Sequence, residues 1–121
     1  MVNHANYLFI ASMDVEPDKL MLFNEVYDTE HVPTLKKVPG VVEITRLSKQ
    51  PLRLSMGGQI NEIIAEDEPN FSAFYWIDNP NVLTSPEWAE AIEKGRWPEY
   101  VRPYTKNRRH LLFKVMDYSD N

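Results

Sequence analysis

The chain has 121 residues, of which 43% are hydrophobic, and a formal net charge of -5. This length suits one hydrophobic core, so we expect a single domain over residues 1–121. The negative charge and the scattered Lys and Arg residues argue against a surface that binds nucleic acid. The absence of cysteine excludes disulfides, thiol nucleophiles and thiolate metal sites.

The first residues lack the basic start and apolar run of a targeting segment. No later apolar run approaches the roughly 18 residues that a membrane-spanning helix needs. We therefore expect a soluble, cytoplasmic protein with no membrane partner.

The first predicted strand covers residues 6–15, where both alternating faces are largely apolar. This pattern is typical of a strand that is covered on both sides. Glu16-Pro17-Asp18 then predicts a helix start, because proline suits the first turn and carboxylates suit the positive end of the helix dipole. The helix is expected to run through Glu30 and to kink or restart at His31-Val32-Pro33, since a residue before proline avoids the α region. Pro39-Gly40 should end the element.

One face of this helix carries the candidate catalytic residues. The residues on it follow one another at steps of three and four: Leu20, Phe23, Tyr27, His31 and Leu35. His31 interrupts an apolar face with a side chain whose unperturbed pKa lies near neutrality, one turn from the phenol of Tyr27. We interpret this pair as able to position and move a proton. The alternative is that His31 caps the helix or binds a backbone carbonyl.

The remaining strands follow from residue type. Residues 41–47 are rich in β-branched side chains and predict a second strand, with Arg46 as its odd charged member. Residues 50–70 mix loop signals with a stretch, Ile60 to Ala65, that fits either a short edge strand or a helical turn. Residues 71–78 predict an aromatic strand, and residues 108–117 predict the last strand, followed by a polar tail.

A second helix is predicted to begin at Ser85, the N-cap, with Pro86 in the first turn. Gly95 fits the position just beyond its C-terminal end. Residues 97–104 then show helical spacing that is interrupted by two prolines, which is typical of a lid or shoulder.

The order of elements predicts an α+β protein. We expect the ferredoxin-like βαββαβ sandwich, in which an antiparallel sheet carries two helices on one face. Because the strands are apolar on both sides, a monomer would expose one face of the sheet. We therefore expect a homodimer that pairs through this open face.

Several segments resemble a known family. They are Tyr27-Asp28-Thr29-Glu30-His31-Val32-Pro33 followed by Val38-Pro39-Gly40-Val41, the helix start Ser85-Pro86-Glu87-Trp88, and the closing strand Arg109 to Val115. In these segments the chain resembles the EthD-like group of the dimeric α/β-barrel superfamily. The resemblance implies a ferredoxin-like protomer that dimerises sheet to sheet into an α/β barrel, with a cleft between sheet and helices. Residues 50–70 depart from shorter members of the group.

The resemblance implies no single reaction. Relatives include quinol oxygenases, lactone isomerases, polyketide cyclases and aldoxime or haem-binding enzymes, and a shared fold does not transfer chemistry. The family likeness favours His31, with Tyr27, as catalytic rather than structural.

The candidate substrate-binding residues are aromatic and basic side chains expected near the cleft. They are Phe23, Arg46, Trp76, Trp88, Trp97, Tyr100 and His110. Aromatic side chains would suit a flat hydrophobic ligand, and would equally suit a core or a dimer interface. Arg46 could anchor a substrate carboxylate, or could pair with Glu43, Glu62 or a partner chain. His110 could act as a second acid or base.

Two functions are consistent with these residues. The first is a cofactor-independent isomerase, cyclase or monooxygenase of catabolic or secondary metabolism, acting on a hydrophobic carbonyl, quinol or lactone. The second is an accessory protein that holds a hydrophobic pathway intermediate in the same cleft without converting it. A third possibility, a simple dimerisation module, would leave His31 a packing role only.

We expect no metal site and no cofactor. The three histidines are widely separated in the sequence, without the HxxH or HxxxH spacing of metal sites. Phosphate-binding and other cofactor motifs are absent as well. Haem binding through His31 stays open as an alternative, although no motif supports it.

Overall fold

The structure is a computed structural model that describes residues 5–116. The predicted end of the last strand at Asp117 and the polar tail after it lie outside the described residues, as does His4. Among residues 5–116, no helix is both long enough and apolar enough to cross a bilayer.

The main sheet is antiparallel and has the ferredoxin-like strand order β2-β5-β1-β6. Its strands are β1 (Tyr7–Val15), β2 (Val41–Ser48), β5 (Phe71–Ile77) and β6 (Thr105–Lys114). The predicted α+β fold and its four principal strands are confirmed.

The first helical segment runs without a break from Pro17 to Leu35. It consists of a 3-10 turn (Pro17–Lys19), α1 (Leu20–Val26), a π-helical turn (Tyr27–His31) and α2 (Val32–Leu35). Of the predicted kink or restart at His31-Val32-Pro33, the structure shows the restart: the π-helical turn ends at His31 and α2 begins at Val32, which keeps helical angles of φ -62° and ψ -50°. The chain accommodates the proline after a wider turn, in which the backbone N–H of Val32 donates to the carbonyl of Tyr27.

The second helical region confirms its predicted start. After a 3-10 turn (Pro80–Thr84), α3 (Pro86–Ala91) begins with Ser85 Oγ accepting a hydrogen bond of 3.1 Å from the Trp88 backbone N–H. The helix ends earlier than predicted, with Ile92 as its C-cap, so Gly95 does not lie directly beyond it. Gly95 has a left-handed φ of 69° in the turn that leads to Trp97. The shoulder that follows is a second π-helical turn (Trp97–Val101) and a 3-10 turn (Arg102–Tyr104).

The core lies between the helical segments and one face of the sheet. Fully buried side chains on both sides fill it: Phe23, Val26, Leu35, Tyr75, Ile77 and Val101. On the opposite face of the sheet, no helix formed by residues 5–116 packs. Its apolar side chains, which alternate with those of the core in the strand registers, are Leu8, Ile10, Phe74, Trp76, Leu111 and Phe113. Leu111 and Phe113 are 53% and 50% exposed.

Residues 50–70 form a separate hairpin. β3 (Leu52–Met56) and β4 (Gln59–Ile63) pair only with each other, joined at Gly57 and Gly58, whose positive φ angles suit a tight hairpin turn. One face of this ribbon carries Leu52, Leu54, Met56 and Ile63 beside the polar Gln59 and Asn61. The stretch from Ile60 is therefore a strand rather than a helical turn, and β3 was not predicted.

Candidate functional site

A cavity of about 250 Å³ lies between the sheet and the two helical regions. The lining side chains come from three strands and both helical regions: Phe9, Ala11, Met13, Tyr27, His31, Leu35, Tyr75, Trp88, Ile92, Trp97, Arg102, Arg108 and His110. Most of them are apolar or aromatic, which is typical of pockets for small organic ligands.

His31 is the buried polar side chain of this cavity, only 6% exposed. Its ring stacks on Trp97, with centroids 4.3 Å apart and planes 19° from parallel, and meets the ring of Tyr27 edge-on at 5.3 Å. The Nδ1 atom of His31 is buried and has no hydrogen-bond partner within residues 5–116. A buried polar atom without a partner is costly, so packing alone does not explain a histidine at this position.

The two π-helical turns place His31 against Trp97. His31 is the last residue of the first turn, and Trp97 is the first residue of the second. The Glu30 carboxylate holds the turns together, because it accepts hydrogen bonds from the Arg96 backbone N–H at 2.9 Å and from Arg96 Nε at 2.6 Å. Single π turns inside helices are frequent at functional sites, so this pairing adds to the case for a site here.

Tyr27 and Tyr75 form a second polar group within the same cavity. Their hydroxyl oxygens are 3.3 Å apart and both side chains are buried. Burial raises the pKa of Tyr27 above its ordinary value, and burial together with the neighbouring Tyr27 raises the pKa of Tyr75 well above its own. Both phenols therefore stay neutral at physiological pH and can donate a hydrogen bond to an oxygen atom.

Burial lowers the pKa of His31 from 6.5 to about 4. The charge of Arg102 lowers it further, while Glu93 acts in the opposite direction. The pKa of His31 in the folded protein therefore lies below the near-neutral, unperturbed value from which the sequence argument started. His31 is an uncharged imidazole at physiological pH, which lets it accept a proton without first losing one.

The cavity is also lined by two arginines, Arg102 and Arg108, which were not predicted as site residues from the sequence. Arg102 forms ion-pair hydrogen bonds with Glu93 at 3.0 and 2.8 Å, whereas Arg108 lies on β6 two residues before His110. Residues two apart in a strand lie on the same face of the sheet. Since His110 was a candidate site residue, Arg108 could have been predicted from the sequence as its neighbour on that face.

The structure brings together five of the predicted site residues. Tyr27, His31, Trp88, Trp97 and His110 all line the cavity. His110 lies parallel to the ring of Phe9, at a centroid distance of 6.0 Å.

The other four predicted residues do not line this cavity. Phe23 is fully buried behind Tyr27, with ring centroids 5.3 Å apart. Arg46 binds Asp28 at 2.9 Å and Asn24 at 3.0 Å and lies over the Tyr27 ring, so its expected pairing with Glu43 or Glu62 is wrong. Trp76 lies on the open face of the sheet, and Tyr100 is 52% exposed.

Solved structures with the same fold are known, although no protein-family model and no curated protein matches this chain. An EthD family protein from Bacillus halodurans superposes with a TM-score of 0.55 at 13% identity, over 91% of this chain and 99% of its own. A candidate antibiotic biosynthesis monooxygenase from Nitrosomonas europaea gives the same TM-score and identity, over 92% and 99% of the two chains. This chain shares their fold. At 13% identity the likeness concerns architecture, and the chemistry has to be argued from the cavity itself.

Proposed function

We propose that this protein is a small, single-domain cytoplasmic enzyme that needs no cofactor and moves a proton on a hydrophobic carbonyl, quinol or lactone. The observation that carries the proposal is the unpartnered Nδ1 of His31, buried beside an aromatic cavity. The reaction class would be that of an isomerase, cyclase or monooxygenase. The fold shared with a candidate monooxygenase is compatible with this range.

His31 would act as the general base. Its neutral imidazole takes a proton from an acidic C–H or O–H bond of the substrate, and the electron pair of that bond stays on the substrate as an enolate or phenolate. The anion that forms next to the imidazolium raises the pKa of His31, because opposite charges at short range favour each other's charged form. The buried position strengthens this attraction.

The pair of phenols would stabilise the substrate oxygen. Since Tyr27 and Tyr75 remain protonated, either hydroxyl can donate a hydrogen bond to an oxygen atom on which negative charge develops. This assigns Tyr27 the role of oxyanion donor and adds Tyr75 as a second donor.

Replacing His31 tests the proposal. In the variant His31→Gln we expect turnover of a panel of quinols, lactones and cyclic ketones to fall by about 100-fold or more, the usual contribution of a general base. Binding, followed by quenching of tryptophan fluorescence, should change by less than about threefold. His110→Gln is the comparison variant, because that histidine also lines the cavity but is exposed; an equal loss of turnover there would make His110 the second acid or base. Full turnover by His31→Gln would rule out the proton-transfer role.

A binding role is the second candidate function, and the low pKa of His31 favours it. An imidazole with a pKa of about 4 is a weak base until an anion forms beside it. The cavity would then hold a hydrophobic pathway intermediate, with His31 accepting a hydrogen bond from it. Binding of panel members without turnover by the wild type would support this function over the first.

We further propose a homodimer that pairs through the open face of the sheet. The apolar side chains on this face would otherwise meet water, at a cost of about 25 cal/mol per Å² of apolar area. Light scattering should give twice the monomer mass at micromolar concentration, and Phe113→Glu at the face should yield monomers. Met21→Glu, on an exposed helical position, should leave the dimer intact. A wild-type monomer under these conditions would contradict the proposal.

A further inference from the structure

Arg108 is a cavity residue whose charge is not neutralised by a neighbour. Its guanidinium group forms no hydrogen bond or ion pair with any residue in the described range 5–116. Arg102, the other arginine of the cavity, is bound by Glu93 and donates to the Ile92 carbonyl at 2.9 Å. Arg46 behind the cavity is bound by Asp28. Of these three guanidinium groups, Arg108 is the one free to bind a ligand.

The backbone around Arg108 departs from regular strand geometry. Ser12 pairs with Arg109 but Asp14 pairs with Lys106, so Asn107 and Arg108 form a bulge in β6. Asn107 has a φ of 52°, which an L residue adopts at a cost. Bulges of this kind occur preferentially next to active sites.

Two anchors hold the bulge in place. The side-chain amide of Asn107 donates to Asp14 Oδ2 at 3.0 Å and to the Asp67 carbonyl at 3.1 Å. These bonds fix the backbone that carries Arg108 on the cavity side of β6. Because the backbone is fixed, only the side chain of Arg108 has to be ordered when a ligand binds, which lowers the entropy cost of binding.

The cavity lacks the anion that would balance Arg108. Its lining residues include two arginines and two histidines but no Asp or Glu. The charge of Arg108 also acts on its neighbours. Burial is the larger cause of the lowered pKa of His110, and the positive charge of Arg108 lowers that pKa further. Burial raises the pKa of Tyr27, and the charges of Arg46 and Arg108 partly offset this rise. A positive potential therefore extends from Arg108 toward the phenols.

We propose that the ligand of this cavity is an aromatic or alicyclic carboxylic acid, whose carboxylate binds Arg108 while its ring occupies the cavity. The planar fork of a guanidinium matches the two oxygens of a carboxylate, and such charge-assisted pairs are among the stronger hydrogen-bonded contacts. The ring would pack among the aromatic side chains that line the same space, including Phe9 and Trp97. This inference rests on the proposed function, for which it names the substrate class.

The arrangement also orients the ligand. Arg108 is exposed and His31 is buried, so the carboxylate would stay near the opening while the opposite end of the ring reaches His31. The reacting carbon or oxygen would then be remote from the acid group, and the binding energy of the carboxylate would serve to place it.

Binding of a matched pair of probes tests this inference. We would titrate 2-naphthoate and its uncharged analogue 2-naphthamide into the full chain at neutral pH and follow tryptophan fluorescence. We expect the wild type to bind the acid at least about tenfold more tightly than the amide, the effect of one charge-assisted contact. Arg108→Gln should abolish this preference and leave the affinity for the amide unchanged.

Arg109→Gln is the matched control, because this neighbouring cation pairs opposite Ser12 and lies on the other face of the sheet. It should keep the preference for the acid, as should His31→Gln. Equal binding of acid and amide by the wild type, no binding of the acid at millimolar concentration, or a preference that survives Arg108→Gln would overturn the inference. Failure of the proton-transfer role would appear instead as unchanged turnover in His31→Gln with the acid preference intact.

Discussion

Truncating Trp97 should destabilise the protein by about 3–5 kcal/mol, the usual cost of removing a large buried aromatic side chain. Trp97 is only 4% exposed and contacts the rings of His31, Tyr27 and Phe23, at centroid distances of 4.3, 5.0 and 6.2 Å. Trp97→Ala therefore removes the common neighbour of the site and the core. Chemical denaturation monitored by circular dichroism would measure the loss.

The same variant should change the site in a second way. Since burial is the largest cause of the low pKa of His31, opening the space beside its ring should move that pKa upward toward 6.5. Titration of the imidazole by NMR would measure it. Trp97→Phe should keep most of the burial, and Trp76→Ala, a tryptophan on the open face, should leave the pKa of His31 unchanged. If Trp97→Ala also left it unchanged, Trp97 would not be what shields His31 from water.

Acidification should weaken the fold through His31. The unfolded chain protonates this histidine near pH 6.5, whereas the folded protein does so only near pH 4. Between these values the unfolded state binds more protons, so stability falls as the pH is lowered. The contribution of His31 is fully present above pH 6.5 and should decline by up to about 3 kcal/mol by pH 4.

His31→Gln provides the reference for this experiment. Glutamine does not titrate, so the free energy of unfolding of the variant should lack this decline, and the difference between the two curves isolates His31. Hydrogen bonds lower the pKa values of the Asp14 and Glu30 carboxylates. These carboxylates therefore lose their stabilising effect only at lower pH, and they do so in both proteins. Parallel curves between pH 4 and 6.5 would show that folding does not affect protonation of His31.

The fold could be predicted because its signals are local. Alternation along residues 6–15 and 71–78 indicated the two central strands, and the Ser85 N-cap marked a helix start. The hairpin at residues 52–63 was harder to predict, because nearly all residues of its two strands are exposed. Burial alternates along a strand that packs with one face on a core, and these two strands lack that alternation. The course of the chain through Pro33 depended on a π turn, which has no sequence signature of its own.

The candidate site could be predicted only in part, for a similar reason. Helical spacing was enough to associate His31 with Tyr27, and composition was enough to suggest aromatic walls. The tertiary structure was needed to pair Tyr75 with Tyr27 and to place Arg108 at the cavity, which both residues reach from distant strands. It was needed too for the pKa of His31, since burial depends on Trp97, 66 residues further along the chain.

The paired π turns make the site depend on the number of residues in the backbone as much as on their identity. A π turn contains one residue more than the α turn it replaces. Tyr27–His31 therefore takes up one extra residue locally, and the helix from Val32 onward keeps the direction that a regular α turn would give it. A residue lost from the α-helical stretch before this turn cannot be taken up in the same way and would rotate His31 by roughly 100° about the axis relative to the start of the helix. His31 and Trp97 would then both be present in the sequence and yet no longer face each other.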